Sequence, residues 1–306
     1  VPSPVPYNLA LKQARQTTLA NGKLALGRLQ SVFEATAERA ESIIGTSTSA
    51  YQIARAASIQ SQVMEVLRTT EVTARATILQ HRQQTVEDVV AIHRKAVLSL
   101  AAREGISGAF VAAEFSQLPA RTLAVLAARG ANAANFRTLV NRHMREAADS
   151  LDRIIHGGIG TGQSARSLAR DVASLLVGES VKASAYGLDA TDVAGLKSIW
   201  YDARRIAVTE INNAYRESNH QSLQQSDMVE AVQWQLSGRH HIEDECDEIA
   251  EDSSDDFPPG YYTLDEWPDA PHPFCMCGQG AVMLKPVEEW FGGVGQEAEE
   301  TAEVEG

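Results

Sequence analysis

Apolar residues recur at intervals of three and four along most of the first 225 positions, and the spacing predicts helix after helix. Residues 1–6, with prolines at 2, 4 and 6, read as an extended lead-in, because each ring fixes φ and disfavours helix before it. From about Tyr7 to Ile44 the chain is rich in Ala, Leu, Lys, Arg, Gln and Glu, all good helix formers, with Gly22 as the expected break. Thr46 to Glu104 contains neither glycine nor proline, enough for a helix of ~80 Å at ~1.5 Å per residue. Its stripe runs through Ile53, Ala56, Val63, Val66 and Leu67, then Val86, Val89, His93, Val97 and Leu100, with threonines and small residues between Thr69 and Thr77. A rod of that length predicts an elongated protein, or one laid along a partner.

Gly105 and Gly108 interrupt the pattern, and short helices are expected at about 109–117 and 119–129, with Pro119 at a first-turn position. A further helix is predicted over 131–156, with Phe136, Leu139, Val140, Met144, Ala147, Leu151 and Ile154 on one face. Glycines at 157, 158, 160 and 162 then suggest a loop, capped by Ser164 ahead of a helix at about 164–177. That loop lacks the Lys-Ser/Thr of a phosphate-binding P-loop and follows no strand, so a turn is the better reading. Residues 178–193 read as a polar linker, and 193–225 as another strong helix. A glutamate on its inner face, Glu210, would need a donor to offset desolvation.

After Asp227 the period changes to two. Val232, Trp234 and Leu236 alternate with Gln233 and Gln235, a half-buried strand. Short strands are also expected after Gly260 and over Ala281–Leu284. Ahead of both, residues 243–256 hold nine acidic groups in fourteen, read as a solvated acidic loop because the Asp-x-Asp-x-Asp-Gly order of a calcium loop is missing. From Glu288 onward the chain reads as an acidic tail.

Charge sharpens this division. Of the 27 Lys+Arg and 40 Asp+Glu in 306 residues, residues 1–225 hold 25 and 19, while residues 226–306 hold 2 and 21. A last segment at −19 is a poor partner for DNA phosphates, whose binding depends on cations displacing counterions. No apolar run reaches the ~18 residues that cross a bilayer, and the signal-peptide pattern is missing. The opening without methionine fits a processed or trimmed end. Three cysteines, an odd and small number, argue for a reducing compartment over a secreted disulfide framework.

All three cysteines and three of the eight histidines fall between Arg239 and Cys277. Cys275 and Cys277 come from one segment, and Cys246 with His240 or His241 from another, while His272 lies three residues before Cys275. Three thiolates and one imidazole suit tetrahedral zinc, and four protein ligands leave no open position for water. The candidate metal ligands are therefore Cys246, Cys275, Cys277, His272 and His241, with one histidine expected. A disulfide from Cys246 to Cys275 or Cys277, or three free thiols, are the alternatives. Either cross-link would close a loop-rich segment with little core of its own. No His-Glu-x-x-His or Ser/His/Asp arrangement is present, so no catalytic residue is assigned. The fold expected is mainly α: an elongated helical region over 1–157, a small α+β module over 158–287 cross-linked by the Cys/His cluster, and a tail over 288–306.

The last third resembles the phage head morphogenesis proteins, the Mu F-like minor capsid family, over about residues 160–287. Arg205-Ile206-Ala207-Val208-Thr209-Glu210, followed by Asn213-Ala214, is similar to the family's Ile-Ala-Arg-Thr-Glu helix. A strand with Trp234 leads to Cys246-Asp247. Pro271-His272-Pro273-Phe274-Cys275-Met276-Cys277 is similar to the closing His-Pro-x-Cys-Arg-Cys. The structural motif residues are thus Arg205, Thr209, Glu210, Trp234, Pro271 and Pro273. Val208 and Met276 stand where the family has arginine, and Ile249 where many relatives have a second cysteine. The resemblance implies a non-enzymatic virion protein, made in the host cytoplasm and placed in the capsid interior near the portal vertex, acting in head assembly or in DNA packaging and delivery. Its implied partners are the portal, in multiple copies around the ring, and other capsid components, with packaged DNA nearby but not recognised by sequence and no membrane. A metal-dependent nuclease or other hydrolase using the same cluster is the alternative.

Overall fold

The computed structural model describes residues 5–45, 53–105, 107–132, 136–161, 163–177, 199–238, 240, 242–254, 256–272, 275–287 and 289–290. The protein is mainly helical, with one small sheet. In order, the helices are α1 (Val5–Gly45), α2 (Ile53–Arg103), α3 (Gly108–Ser116), α4 (Leu118–Asn132), α5 (Phe136–Gly160), α6 (Ala165–Val177) and α7 (Ile199–Gln225). Then come strand β1 (Val229–Gln235), helix α8 (Glu245–Glu251), and strands β2 (Tyr261–Thr263) and β3 (Gly278–Leu284). No helix among the described residues is long and apolar enough to cross a membrane.

Several expectations change. The helix of α1 begins at Val5, inside the expected lead-in, and runs through Gly22 without a break. A Cβ added at Gly22 or Gly27 would meet nothing within 4 Å, so these glycines serve no close contact and only weaken the helix locally. α5 continues over Gly157 and Gly158 to Gly160. The carbonyls of the two glycines are taken up by the amides of Thr161 (2.9 Å) and Gln163 (2.8 Å), while Leu151, Ile154 and Ile155 bury the preceding turns. Ser164 does cap α6, accepting from the Ser167 amide at 3.2 Å. The boundary placed between 157 and 158 lies inside α5. The linker at 178–193 and the tail from 291 lie outside the described residues, but Trp290 is buried and donates to the Lys285 carbonyl at 3.0 Å.

Contacts divide the chain into two units that interleave in sequence. One comprises residues 22–80 and 130–208; the other comprises residues 1–21, 81–129 and 209–306. In the first, Leu29, Phe33, Ala40 and Ile44 of α1 pack with Ile59, Val63, Leu67 and Ile78 of α2, and with the apolar faces of α5 and α6. The threonine-rich stretch of α2 is helical, and within it Thr69, Thr73 and Thr77 return their hydroxyls to carbonyls four residues back. Thr70 also reaches the carbonyl four back, that of Val66 at 2.9 Å, but faces inward, where its hydroxyl meets that of Thr36 at 2.6 Å.

The second unit holds the sheet. Its strand order is β2-β1-β3, antiparallel throughout. One face of β1 and β3, through Val229, Val232, Val282 and Leu284, joins Tyr7 and Leu11 of α1, Val86, Val90 and Val97 of α2, and Leu223 of α7 in one core. The amide of Val282 donates to the side-chain oxygen of Asn8 at 3.1 Å, and Tyr7 Oη to Met228 Sδ at 3.7 Å. Residues at the two ends of the chain therefore share one hydrophobic interior.

Candidate metal centre

The sequence between β1 and β3 has few large aliphatic residues, and its interior is built from sulfur and aromatic rings instead. Cys246, Cys275 and Cys277 are buried with Trp234 and Tyr262, and Ile249, Trp267 and Ala270 pack around them. Trp267 stands 5.4 Å from Trp234 and edge-on to Tyr262 at 6.2 Å. Tyr262 Oη donates to the Ile249 carbonyl at 2.6 Å, tying β2 to α8.

The acidic stretch expected to be a solvated loop contains α8. Asp244 is its N-cap, accepting from the Cys246 amide at 2.8 Å, and the Asp247 carboxylate returns to accept from the Asp244 amide at 2.8 Å. This reciprocal capping box, with Glu245, Asp247 and Glu248 against the positive end of the helix dipole, makes seven residues of acidic sequence helical. Gly260 completes the frame at φ +79°, where a Cβ would come within 3.0 Å of the Ala250 carbonyl oxygen. Its own carbonyl accepts from the Trp234 amide and its amide donates to Asp252, both at 2.6 Å.

Within this frame the sulfur atoms converge. Cys246 Sγ lies 3.5 Å from Cys275 Sγ and 3.4 Å from His272 Nε2. Cys277 Sγ lies 3.8 Å from His240 Nδ1 and accepts from the Ser237 amide at 3.3 Å. All three thiols are unlinked, and 3.5 Å is far beyond the ~2.05 Å of a disulfide. Two overlapping triads result, His240-Cys246-Cys277 and Cys246-His272-Cys275, each with ligand atoms within 4.8 Å of one another. Zn–S bonds of ~2.3 Å and Zn–N bonds of ~2.0 Å arranged tetrahedrally put neighbouring ligand atoms roughly 3.5–3.8 Å apart. The Cys246–Cys275 and Cys277–His240 separations fall in that range and the Cys246–His272 separation lies just below it, so these Cys/His groups could hold a metal ion.

Of the candidate ligands, Cys246, Cys275 and His272 meet in one triad, and Cys277 meets Cys246 in the other. His241 lies outside the described residues, and it is the neighbouring His240 that the structure brings to the sulfurs. His240 Nε2 sits 2.7 Å from Asp247 Oδ2, which lifts the imidazole above its ordinary range. The Asp247 carboxyl is held low in turn by the Asp244 amide and by His240. Cys275 is pushed down to about 5, chiefly by the hydrogen bond from the Cys277 thiol and further by the Arg216 guanidinium. Burial pushes Cys246 up to about 12, and Cys277 is raised by its hydrogen bond to Cys275. A cation entering here would meet one ready thiolate and displace protons from the other two sulfurs.

The Cys-Met-Cys turn is clamped from α7, a feature the sequence reading missed. Arg216 Nη1 donates to the carbonyls of Cys275 and Cys277, both at 3.1 Å, and Asn212 Nδ2 adds a second bond to the Cys275 carbonyl at 3.1 Å. Arg216 Nη2 is steadied by Asn213 Oδ1 at 3.0 Å, and Arg15 reaches the Met276 carbonyl from α1 at 3.1 Å. Of the motif residues, Glu210 finds its donor in Arg82 at 3.1 Å, with both side chains mostly buried. Trp234 is core, and Pro271 is half-buried beside His272. Arg205 and Thr209 are half-buried on α7. Pro273 lies outside the described residues. Glu243, Glu245, Glu248 and Glu251 line an open acidic depression beside His272.

No protein-family model, no curated protein and no solved structure matches the chain.

Proposed function

We propose that the protein is a structural minor capsid protein of a tailed bacteriophage, associated with the portal and acting in head assembly or DNA packaging and delivery. In this reading the Cys/His cluster holds a structural zinc that closes the sheet-bearing end of the chain. The observation that carries the proposal is the meeting of two separated sequence pieces. The α7 residues 205–210 and 213–214 and the closing Pro-His-Pro-Phe-Cys-Met-Cys are the parts that resemble the Mu F-like family, and they are joined through the α7 neighbours Asn212 and Arg216, the latter steadied by Asn213, which hold the carbonyls of Cys275 and Cys277. A motif whose two halves are fitted to each other in this way is a structural unit.

The burial of the sulfurs supports a structural role for the metal over a catalytic one. Cys246, Cys275 and Cys277 are 0%, 2% and 4% exposed, whereas catalytic zinc keeps a position open to water and substrate. Zinc supplies such a site with folding free energy, since the ligands are gathered only in the folded state.

The test is the composition of particles. Antibody or tag labelling of purified heads should place the protein at the portal vertex, and recovery only from portal-free particles would sink the assignment. Metal analysis of the same protein should return one tightly held zinc and no cleavage of DNA. EDTA-sensitive hydrolysis of DNA or peptide would support the metal-dependent hydrolase instead.

A further inference from the structure

The two triads share Cys246 and together offer three sulfurs and two imidazoles, one donor more than a tetrahedral ion accepts, so an ion that takes all three sulfurs must also draw Cys275 and Cys277 together. The hydrogen bonds around the two rings distinguish them. A ring nitrogen can bind a metal only through its lone pair, and a nitrogen that donates its hydrogen to a carboxylate has no lone pair to offer. His240 divides the two tasks between its two nitrogens. Nε2 faces Asp247 Oδ2 at 2.7 Å, and Nδ1 faces Cys277 Sγ at 3.8 Å. His272 presents a single nitrogen to both sides, with Nε2 3.4 Å from Cys246 Sγ and 3.2 Å from Asp244 Oδ2. The His240 side chain is also the more enclosed, 12% exposed against 33%.

We infer that His240, through Nδ1, is the fourth metal ligand beside Cys246, Cys275 and Cys277, and that Asp247 is the positioning residue that turns its ring. The inference rests on the proposed metal site and goes further by naming the ligand and what orients it. A carboxylate on the far nitrogen fixes the tautomer and the ring plane and makes the near nitrogen more basic. Here the carboxylate carries a second duty. The same Asp247 Oδ2 accepts from the Asp244 amide and closes the capping box of α8. One oxygen therefore joins the imidazole that faces the sulfurs to the first turn of the helix that carries Cys246. His272 lies outside the ligand set, held at the rim by Asp244.

The experiment uses the full chain loaded with ¹¹³Cd, whose spin couples to the nuclei of the atoms that bind it. In protein labelled with ¹⁵N at histidine, coupling is expected to the His240 Nδ1 resonance, with Nε2 in the protonated tautomer. Coupling to either nitrogen of His272 would overturn the assignment. Affinity for Zn²⁺ is then measured by competition with a chromophoric chelator. H272Q should bind within about threefold of the parent, while H240Q should lose the fourth ligand and weaken by more than about 100-fold, beyond the range of an outer-shell change. D247N should weaken binding by about 10- to 100-fold and broaden or shift the His240 ring signals, which a purely helix-capping role would leave in place. Parent-like affinity and ring signals in D247N would overturn the positioning role while leaving the metal site standing. Failure of the unaltered chain to take up Zn²⁺ or ¹¹³Cd²⁺ would overturn the site itself.

Discussion

Arg216 donates from Nη1 to the carbonyl oxygen of Cys277 at 3.1 Å, across 61 residues of sequence. Arg216 is 7% exposed and places a positive charge under a turn that carries two sulfurs. Replacing it by methionine keeps most of the apolar stem but strands the Cys275 and Cys277 carbonyls, apart from the Asn212 bond to the former. Buried polar groups left without partners cost ~1–3 kcal/mol each, so Arg216→Met should lose about 2–4 kcal/mol in denaturant unfolding of the metal-free chain. Arg216→Lys should fall between, because an ammonium cannot fork between two carbonyls and Asn213. A loss below about 1 kcal/mol for the methionine variant would mean that the clamp is not structural.

Acid should weaken the core around His93. This imidazole is fully buried on α2, with Nε2 2.7 Å from Asn219 Oδ1 and its ring 6.5 Å from that of Tyr7. Burial, only partly offset by Asn219, lowers its pKa from 6.5 to about 4. Between those values the unfolded chain binds the proton and the folded chain does not, so stability falls as pH drops from 6.5 toward 4 and levels off below. The size of the shift corresponds to about 3 kcal/mol. His93→Gln should flatten that portion of a stability-versus-pH curve, measured by urea unfolding at half-unit steps. An unchanged slope would exclude His93 as its source.

Two glycines should respond oppositely to alanine. Gly22 lies within α1 with open space where a Cβ would go, so Gly22→Ala should stabilise by ~0.5–1 kcal/mol through helix propensity. Gly260 has φ +79° and a carbonyl oxygen 3.0 Å from the position of a Cβ. There, Gly260→Ala should destabilise by about 2–3 kcal/mol, combining left-handed strain with the displaced Ala250–Asp252 backbone. Thermal melts of the two variants beside the parent should move in opposite directions.

Glu210 and Arg82 should be coupled. With side chains only 14% and 17% exposed and 3.1 Å between them, the pair is shielded from the solvent that makes surface bridges weak. A double-mutant cycle with Arg82→Met and Glu210→Gln should return a coupling of ~1–3 kcal/mol. Each single change should cost more than the double change relative to its own background, because each strands the other charge.

Local patterning made most of the helical architecture legible. Thr46–Glu104 lacks helix breakers, and α2 fills residues 53–103 of it. Errors arose where packing outweighed propensity, as at Gly22 in α1 and at Gly157–Gly158 in α5. The acidic stretch was misread because its charge suggested solvation, although Asp244 and Asp247 stand at the spacing of a capping box. The cluster was legible as a gathering of cysteines. The place of His240 beside the sulfurs follows from the turn after Ser237, whose carbonyl accepts from the His240 amide, and adjacent residues in a loop carry no register that would announce it. Arg216 gave no local signal, because its partners lie 59 and 61 residues away.

The pairing of Asn8 with Val282, and of Tyr7 with Met228, has a consequence for how the chain is made. The unit that carries the sheet and the sulfur cluster draws on the first 21 residues and the last 98. During synthesis, α1 leaves the ribosome long before any strand exists to receive its first turns. The contacts between them form across 274 and 221 residues, separations whose closure entropy is met only late. The interior shared by the two ends is therefore among the last to assemble, and until the strands arrive Tyr7 and Leu11 have only the α2–α4 part of their core to pack against.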